Sequence, residues 1–314
     1  MAVPRVPPAG VWCPAVTFFD QYSDTVDLAA QARFFTYLSR SGLTGLVVLG
    51  TTSEAFLLTR EERAQVIKTA RDAVGPDFPL MAGVGGHSTK QVLEHIEDAQ
   101  QAGANYALVL PAAYFGKATT RSVISTFYDY ISCTSPLPVV IYNFPAVCNG
   151  IDMDSEHITE MALRDPNIVG VKLSCGSAGK IPRLAAELLP EDFSIFAGQS
   201  DFLIAGLSVG SAGCIAAFAN VFPKTVAKIY ELYKAGQIKE ALELHQKAAL
   251  AESPCKYGIA TTKYAAALYA AKAAGIDDAE VKLLPRRPYE PPTGEQKEDV
   301  RSMMAEIAGI EAGL

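Results

Sequence analysis

The chain has 314 residues, of which 49% are hydrophobic and 19% charged, and its 24 glycines and 19 prolines are ordinary numbers. Collagen-like and disordered classes are excluded, and a large core can be filled. A formal net charge of -7 without a basic block speaks against a nucleic-acid surface, which needs clustered Lys and Arg. Along the chain, short apolar runs alternate with longer amphipathic stretches. The runs predict strands at Val11 to Thr17, Gly45 to Leu49, Leu80 to Val84 and Tyr106 to Leu110, then Pro138 to Tyr142, Ile168 to Leu173, Ser194 to Ala197 and Gly213 to Ala216. Between them the spacing predicts helices at Asp27 to Ser41, Arg60 to Ala73, Thr89 to Gln101, Thr120 to Cys133, Asp154 to Leu163, Ala178 to Leu188 and Ser200 to Val209. Thr59 with Glu62 is a capping box opening the second helix, Ser88 stands before the third, and Gly42, Gly75 and Gly103 follow helices.

Eight strand-helix units in about 220 residues predict an α/β fold, a TIM (β/α)8 barrel, over a doubly wound open sheet. After residue 222 the strand signal stops. Lys224 to Ala235, Ile238 to Leu250, Tyr257 to Ala274 and Lys297 to Ile310 read as helices, with the proline-rich segment 285–292 linking the last two. The expected organisation is therefore a barrel over 1–222 and a C-terminal helical extension over 223–314.

The six cysteines are scattered, with no CxxC, and fit a reducing compartment. The first ten residues carry no apolar core and no Arg-rich amphipathic pattern, so no targeting signal is read there. No run of 18 apolar residues exists. These features together predict a cytoplasmic protein with no membrane partner and no nucleic-acid partner.

Catalysis in such a barrel sits at the C-terminal ends of the strands. There the sequence puts Gly50-Thr51-Thr52-Ser53-Glu54, Tyr142-Asn143-Phe144-Pro145, Gly170-Val171-Lys172 and Gly213-Cys214-Ile215. Lys172 interrupts an apolar strand, so it faces either the barrel interior or the helix layer. A desolvated amine there can condense with a ketone to a Schiff base; the ordinary alternative is a lysine snorkelling at a strand end. Tyr142 is a candidate proton carrier, paired with the Thr51 hydroxyl, although alone it reads as a packed aromatic. The Gly-Thr-Thr-Ser turn offers backbone donors to a carboxylate. Gly83 to Lys90 looks like a phosphate loop but lacks its spacing. The four histidines have no paired ligand spacing, so neither a metal nor another cofactor is expected.

In this order and at these separations the motifs resemble the dihydrodipicolinate synthase and N-acetylneuraminate lyase superfamily of lysine-dependent aldolases, over nearly the whole chain. The resemblance implies that Lys172 forms a Schiff base with C2 of a 2-oxo acid and that Tyr142 carries protons with Thr51 in its relay. It implies that Thr52 binds the pyruvyl carboxylate and that Gly213 and Ile215 shape the pocket floor through their backbone. Synthases of the family carry an arginine where this chain has Val147, and that loss of a bidentate carboxylate partner argues against synthase activity. Tyr114 is the nearest match to a second tyrosine that some members contribute across a dimer interface, and Gly198-Gln199-Ser200-Asp201 differs from the common loop. Val147, Leu173 and Ser174-Cys175-Gly176 resemble fungal members that cleave 2-keto-3-deoxy sugar acids, of the 2-keto-3-deoxy-L-galactonate type, to pyruvate and glyceraldehyde. A 4-hydroxy-2-oxoglutarate aldolase and a synthase-like condensation are the alternatives, with sialic acid cleavage and sugar-acid dehydration on the same scaffold. A catalytically silent binding or regulatory homologue is the alternative of another class. The expected partners are a small 2-oxo acid and further copies of the chain, in a homotetramer or dimer.

Overall fold

The computed structural model describes residues 3–314. Eight parallel strands close into a barrel: β1 (Gly10–Pro14), β2 (Gly45–Val48), β3 (Leu80–Gly83), β4 (Tyr106–Val109), β5 (Val139–Asn143), β6 (Ile168–Leu173), β7 (Ser194–Ala197) and β8 (Gly213–Ile215). β1 closes the ring by pairing with both β2 and β8. Each strand lies within a few residues of its sequence expectation. A small antiparallel hairpin, Phe19–Asp20 with Thr25–Val26, has no counterpart among the expected elements.

The helices of the ring are α1 (Leu28–Ser39), α2 (Arg60–Val74), α3 (Thr89–Gln101), α4 (Arg121–Thr134), α5 (Ser155–Arg164), α6 (Lys180–Glu187), α7 (Leu203–Leu207) and α8 (Pro223–Lys234). The Thr59–Glu62 capping box forms in full, and Ser88 caps α3 by accepting from the Gln91 N–H. Helix α7 is shorter than expected and starts only after Phe202, whose backbone at φ -118° and ψ 22° is not helical; ahead of it the Ser200 N–H and Oγ both donate to Glu252. α8 packs against β1 and so takes the eighth place in the ring.

Beyond it lie α9 (Ile238–Glu252), α10 (Ile259–Ala266), α11 (Ala279–Lys282) and α12 (Gly294–Gly313). The expected helix from Tyr257 starts two residues later, as α10, and runs on through a π turn at Ala267–Ala271 to Ala273. Before it a 3-10 turn spans Ser253–Tyr257 and ends at Gly258, with φ 136°. Glu311 of α12 caps α8: its carboxylate accepts from the N–H groups of Lys224 (3.0 Å) and Thr225 (2.7 Å) and from Thr225 Oγ1. Orphan N–H groups and the positive end of a helix favour such a carboxylate. One apolar cluster runs from the strand-helix layer into these C-terminal helices, including Val300, Met304 and Ile307.

A second cluster fills the barrel, among it Trp12, Val47, Tyr106, Val140, Tyr142, Phe196 and Ile215. Trp12 lies edge-on to Tyr106 and to Phe196, with ring centroids 5.9 Å and 6.1 Å away. The barrel is therefore packed below its rim rather than open, and chemistry is confined to the C-terminal ends of the strands.

Candidate active site

Lys172 owes its direction to an irregularity in β6. Ile168 packs outside the barrel and Val169 inside, yet Val171 and Leu173 again pack outside. Strict alternation from Ile168 would have put Lys172 outside too. The pairing with β5 slips at this point: Val139 opposes Ile168, but the next residue, Val140, opposes Gly170. Such a slip re-aims the side chains after it. A Cβ on Gly170 would lie 2.7 Å from the Ser194 carbonyl oxygen, so the residue at the slip must be small.

Lys172, 3% exposed, thereby meets Tyr142 directly across the β5–β6 pair. Its Nζ donates to the Tyr142 hydroxyl at 3.2 Å and lies 4.3 Å from the ring centroid. The same hydroxyl is 3.3 Å from Thr51 Oγ1. The next residue, Asn143, points the other way and ties down the following loop. Its amide donates to Asp152 at 2.7 Å and its carbonyl accepts from the Met153 N–H.

The Thr51–Thr52 turn is clamped at its base. Ser53 Oγ donates to the Ala15 carbonyl at 2.5 Å, and Thr17 Oγ1 donates to the Ser53 carbonyl at 2.7 Å. Glu54, left-handed at φ 56° and buried, receives Lys263 Nζ from α10 at 2.5 Å and the Arg286 N–H at 2.9 Å. Burial pushes the Lys263 ammonium down to about 8, against the opposing pull of Glu54. Lys263 also donates to the Leu284 carbonyl at 3.1 Å.

A cavity of about 360 Å³ opens over these groups. Thr51, Thr52, Tyr142 and Lys172 line it, together with Ser174, Gln199, Glu252, Lys256 and Thr262. Burial pushes the Glu252 carboxyl up to about 7, against its hydrogen bonds from Ser200. Burial likewise raises the thiols of Cys13 and Cys214 near Lys172, which keeps them protonated and poor rivals as nucleophiles.

Four expected site residues, Lys172, Tyr142, Thr51 and Thr52, are thus brought together. The others lie off the cavity wall. Gly213 is pressed against the Gly10 backbone, and the Ile215 side chain belongs to the barrel packing below. Val147 is 44% exposed while its neighbour Ala146 lines the cavity. Tyr114 is 72% exposed, in a surface cluster with Phe115 and His87. Sequence reasoning missed Glu252 and Lys256, which fall between two expected helices, and Thr262, which falls inside one. Among the described residues no group of three His, Cys, Asp or Glu side chains is placed to hold a metal ion, and no helix is long and apolar enough to cross a membrane.

Known proteins share this architecture and sequence. A protein of Coccidioides immitis (strain RS), provisionally named a mitochondrial 4-hydroxy-2-oxoglutarate aldolase, is 74% identical over 99% of both chains. The L-threo-3-deoxy-hexylosonate aldolase of Hypocrea jecorina is 35% identical over 86% of this chain and 89% of its own. The crystal structure of a dihydrodipicolinate synthase family protein from Coccidioides immitis superposes with a TM-score of 0.95 at 71% identity, covering 99% of each chain. The mitochondrial name of so similar a relative corrects the expected cytoplasmic location: scattered cysteines and an unremarkable first segment fit a reducing organelle as well as they fit the cytosol. The dihydrodipicolinate synthetase family model matches residues 7–307, which takes in every barrel strand and most of α12, and the chain belongs to that family.

Proposed function

We propose that the protein is a class I, metal-independent aldolase that cleaves a 2-keto-3-deoxy sugar acid reversibly to pyruvate and an aldehyde such as glyceraldehyde. One observation carries the reading: a buried lysine amine 3.2 Å from a tyrosine hydroxyl that is itself 3.3 Å from a threonine hydroxyl, at the floor of a cavity. The neutral Lys172 amine adds to the C2 carbonyl of the substrate, and loss of water leaves an iminium. Tyr142 accepts the proton of the C4 hydroxyl, with Thr51 in the relay. The C3–C4 bond then breaks, its electron pair enters the iminium, and the aldehyde departs. The resulting enamine is protonated at C3, and water hydrolyses the iminium to pyruvate and free Lys172. Thr52 at the cavity wall binds the pyruvyl carboxylate.

The name of the 74% identical relative favours 4-hydroxy-2-oxoglutarate as a second substrate reading. Further copies of the chain stay in the proposal, as a dimer or tetramer. The exposed aromatic cluster of Phe56, Tyr114 and Phe115 supports an interface. Borohydride reduction in the presence of pyruvate tests the chemistry. A stable adduct on Lys172 is expected, and a folded protein that forms none overturns the reading. Pyruvate release from a panel of 2-keto-3-deoxy acids and 4-hydroxy-2-oxoglutarate separates the substrates.

A further inference from the structure

We propose that Lys256, carried on the turn between α9 and α10, recognises the distal, aldehyde-derived half of the substrate, and that this half is hydroxylated and uncharged. The inference rests on the aldolase reading and specifies what that reading leaves open.

Lys172, Glu252 and Lys256 are the charged side chains among the described residues that line the cavity. Lys172, Tyr142, Thr51 and Thr52 are committed to the pyruvyl end. The remaining polar lining is Ser174, Gln199, Glu252, Lys256 and Thr262, and it carries the other two charges. Lys256 Nζ donates to Gln199 Oε1 at 3.1 Å and is ion-paired with Asp201. An ammonium has three donors, so one is left for a ligand. Its side chain is 41% exposed, which puts the charged head at the mouth rather than in the core.

Charge decides the class of ligand. Asp201 already neutralises Lys256, and Glu252 stands beside it without a second cation on the wall. A substrate with a second carboxylate would find on this wall one lysine already ion-paired and no guanidinium fork. A hydroxyl both donates and accepts, so it can take a hydrogen bond from Lys256 and give one to Gln199 or Glu252. The wall therefore suits the polyol tail of a sugar acid better than the second carboxylate of 4-hydroxy-2-oxoglutarate. The turn holds Lys256 in place for such a contact, because Pro254 and Gly258 bracket it and Glu252 at its root is fixed by Ser200.

The test compares the full-length enzyme with Lys256→Gln on 2-keto-3-deoxy-L-galactonate and on 4-hydroxy-2-oxoglutarate. The variant is expected to raise KM for the sugar acid about ten-fold or more, the scale of one hydrogen bond to a charged donor. Its kcat should change less than about three-fold, and it should form the borohydride-trapped pyruvate adduct as the parent does, since pyruvate lacks the distal half. In the condensation direction, the parent should prefer glyceraldehyde over propionaldehyde by about ten-fold or more, a comparison that needs no variant. An unchanged KM for the sugar acid, a selective loss of the dicarboxylate, or no preference for the hydroxylated aldehyde would each overturn the assignment. Failure of the parent to form the adduct would instead sink the aldolase reading itself.

Discussion

Lys263→Met tests whether the C-terminal helices hold the catalytic loop. In the parent, Lys263 and Glu54 are both buried, and the Lys263 amine bridges Glu54 to the Leu284 carbonyl. Methionine fills a similar volume but leaves the Glu54 carboxylate facing only the Arg286 N–H. An uncompensated buried charge of this kind costs about 3–5 kcal/mol. For 314 residues, an unfolding entropy of about 2.1 cal/mol/K per residue turns that cost into a Tm drop of about 5–8 °C. The double variant Lys263→Met, Glu54→Gln removes the stranded charge and keeps an acceptor for Arg286, so it should recover at least about 2 kcal/mol of the loss. Trp12, the one tryptophan and fully buried in the barrel, reports unfolding in urea by its fluorescence. Because Glu54 caps the 3-10 turn Thr51–Ser53, the single variant should also lose kcat, by as much as about 100-fold for a displacement near 1 Å. A stability loss under about 1 kcal/mol, or a double variant no better than the single one, would refute a dry ion pair at this position.

Three further perturbations address the remaining links. Tyr142→Phe should keep the trapped pyruvate adduct and lose turnover by about 10²–10⁴-fold, as for other proton carriers; unchanged turnover would remove Tyr142 from that role. Gly170→Ala forces a Cβ to 2.7 Å from the Ser194 oxygen and should cost about 1–3 kcal/mol along with most of the adduct yield, because it strains the slip that turns Lys172 inward. Gly179→Ala, with nothing within 4 Å of its Cβ, is the control for both readouts. Glu252 holds its proton more tightly in the folded chain than in the unfolded one, where its carboxyl titrates near 4.5. Its stabilising contribution is complete below pH 4.5 and is lost as the pH rises through about 7. The swing is about 3 kcal/mol, and Glu252→Gln should flatten it in urea melts at pH 5 and pH 8; parallel pH profiles for the two proteins would contradict the burial argument.

Much of this architecture is legible in the sequence because it is local. Strand runs, the Thr59–Glu62 capping box and the Ser88 cap are set by near neighbours, and helix α3 runs from Thr89 to Gln101 as its periodicity predicts. The two-residue strands of the hairpin are too short to show a period. Site geometry is partly non-local. That Tyr142 and Lys172 share a face follows from strand order, but the inward turn of Lys172 depends on a register slip that no residue pattern announces. Glu54 and Lys263 are 209 residues apart, and Lys256 looks like any lysine on a polar stretch until the fold sets it over the cavity. Val147 is the residue whose type speaks to substrate choice, yet it stands outside the cavity, while Lys256, which the sequence analysis did not single out, lines it.

Three buried lysines show why burial alone does not make a nucleophile. Lys180 is ion-paired with Asp152 and donates to the Met153 carbonyl at 2.8 Å; Lys263 is ion-paired with Glu54. Each has a carboxylate partner that loss of the amine's charge would strand, with a hydrogen bond orphaned. Lys172 faces a phenol, which can donate to a neutral amine or accept from an ammonium without either form being locked by charge. Cys13 and Cys214 on its other sides are held as neutral thiols. Apolar packing below, from Trp12 and Phe196, supplies no counterion either. The position that the register slip creates is therefore one where the amine has a phenol for its partner rather than a carboxylate. The two carboxylate-paired lysines instead brace the loops around it, one behind the Tyr142 loop and one behind the Thr51 turn.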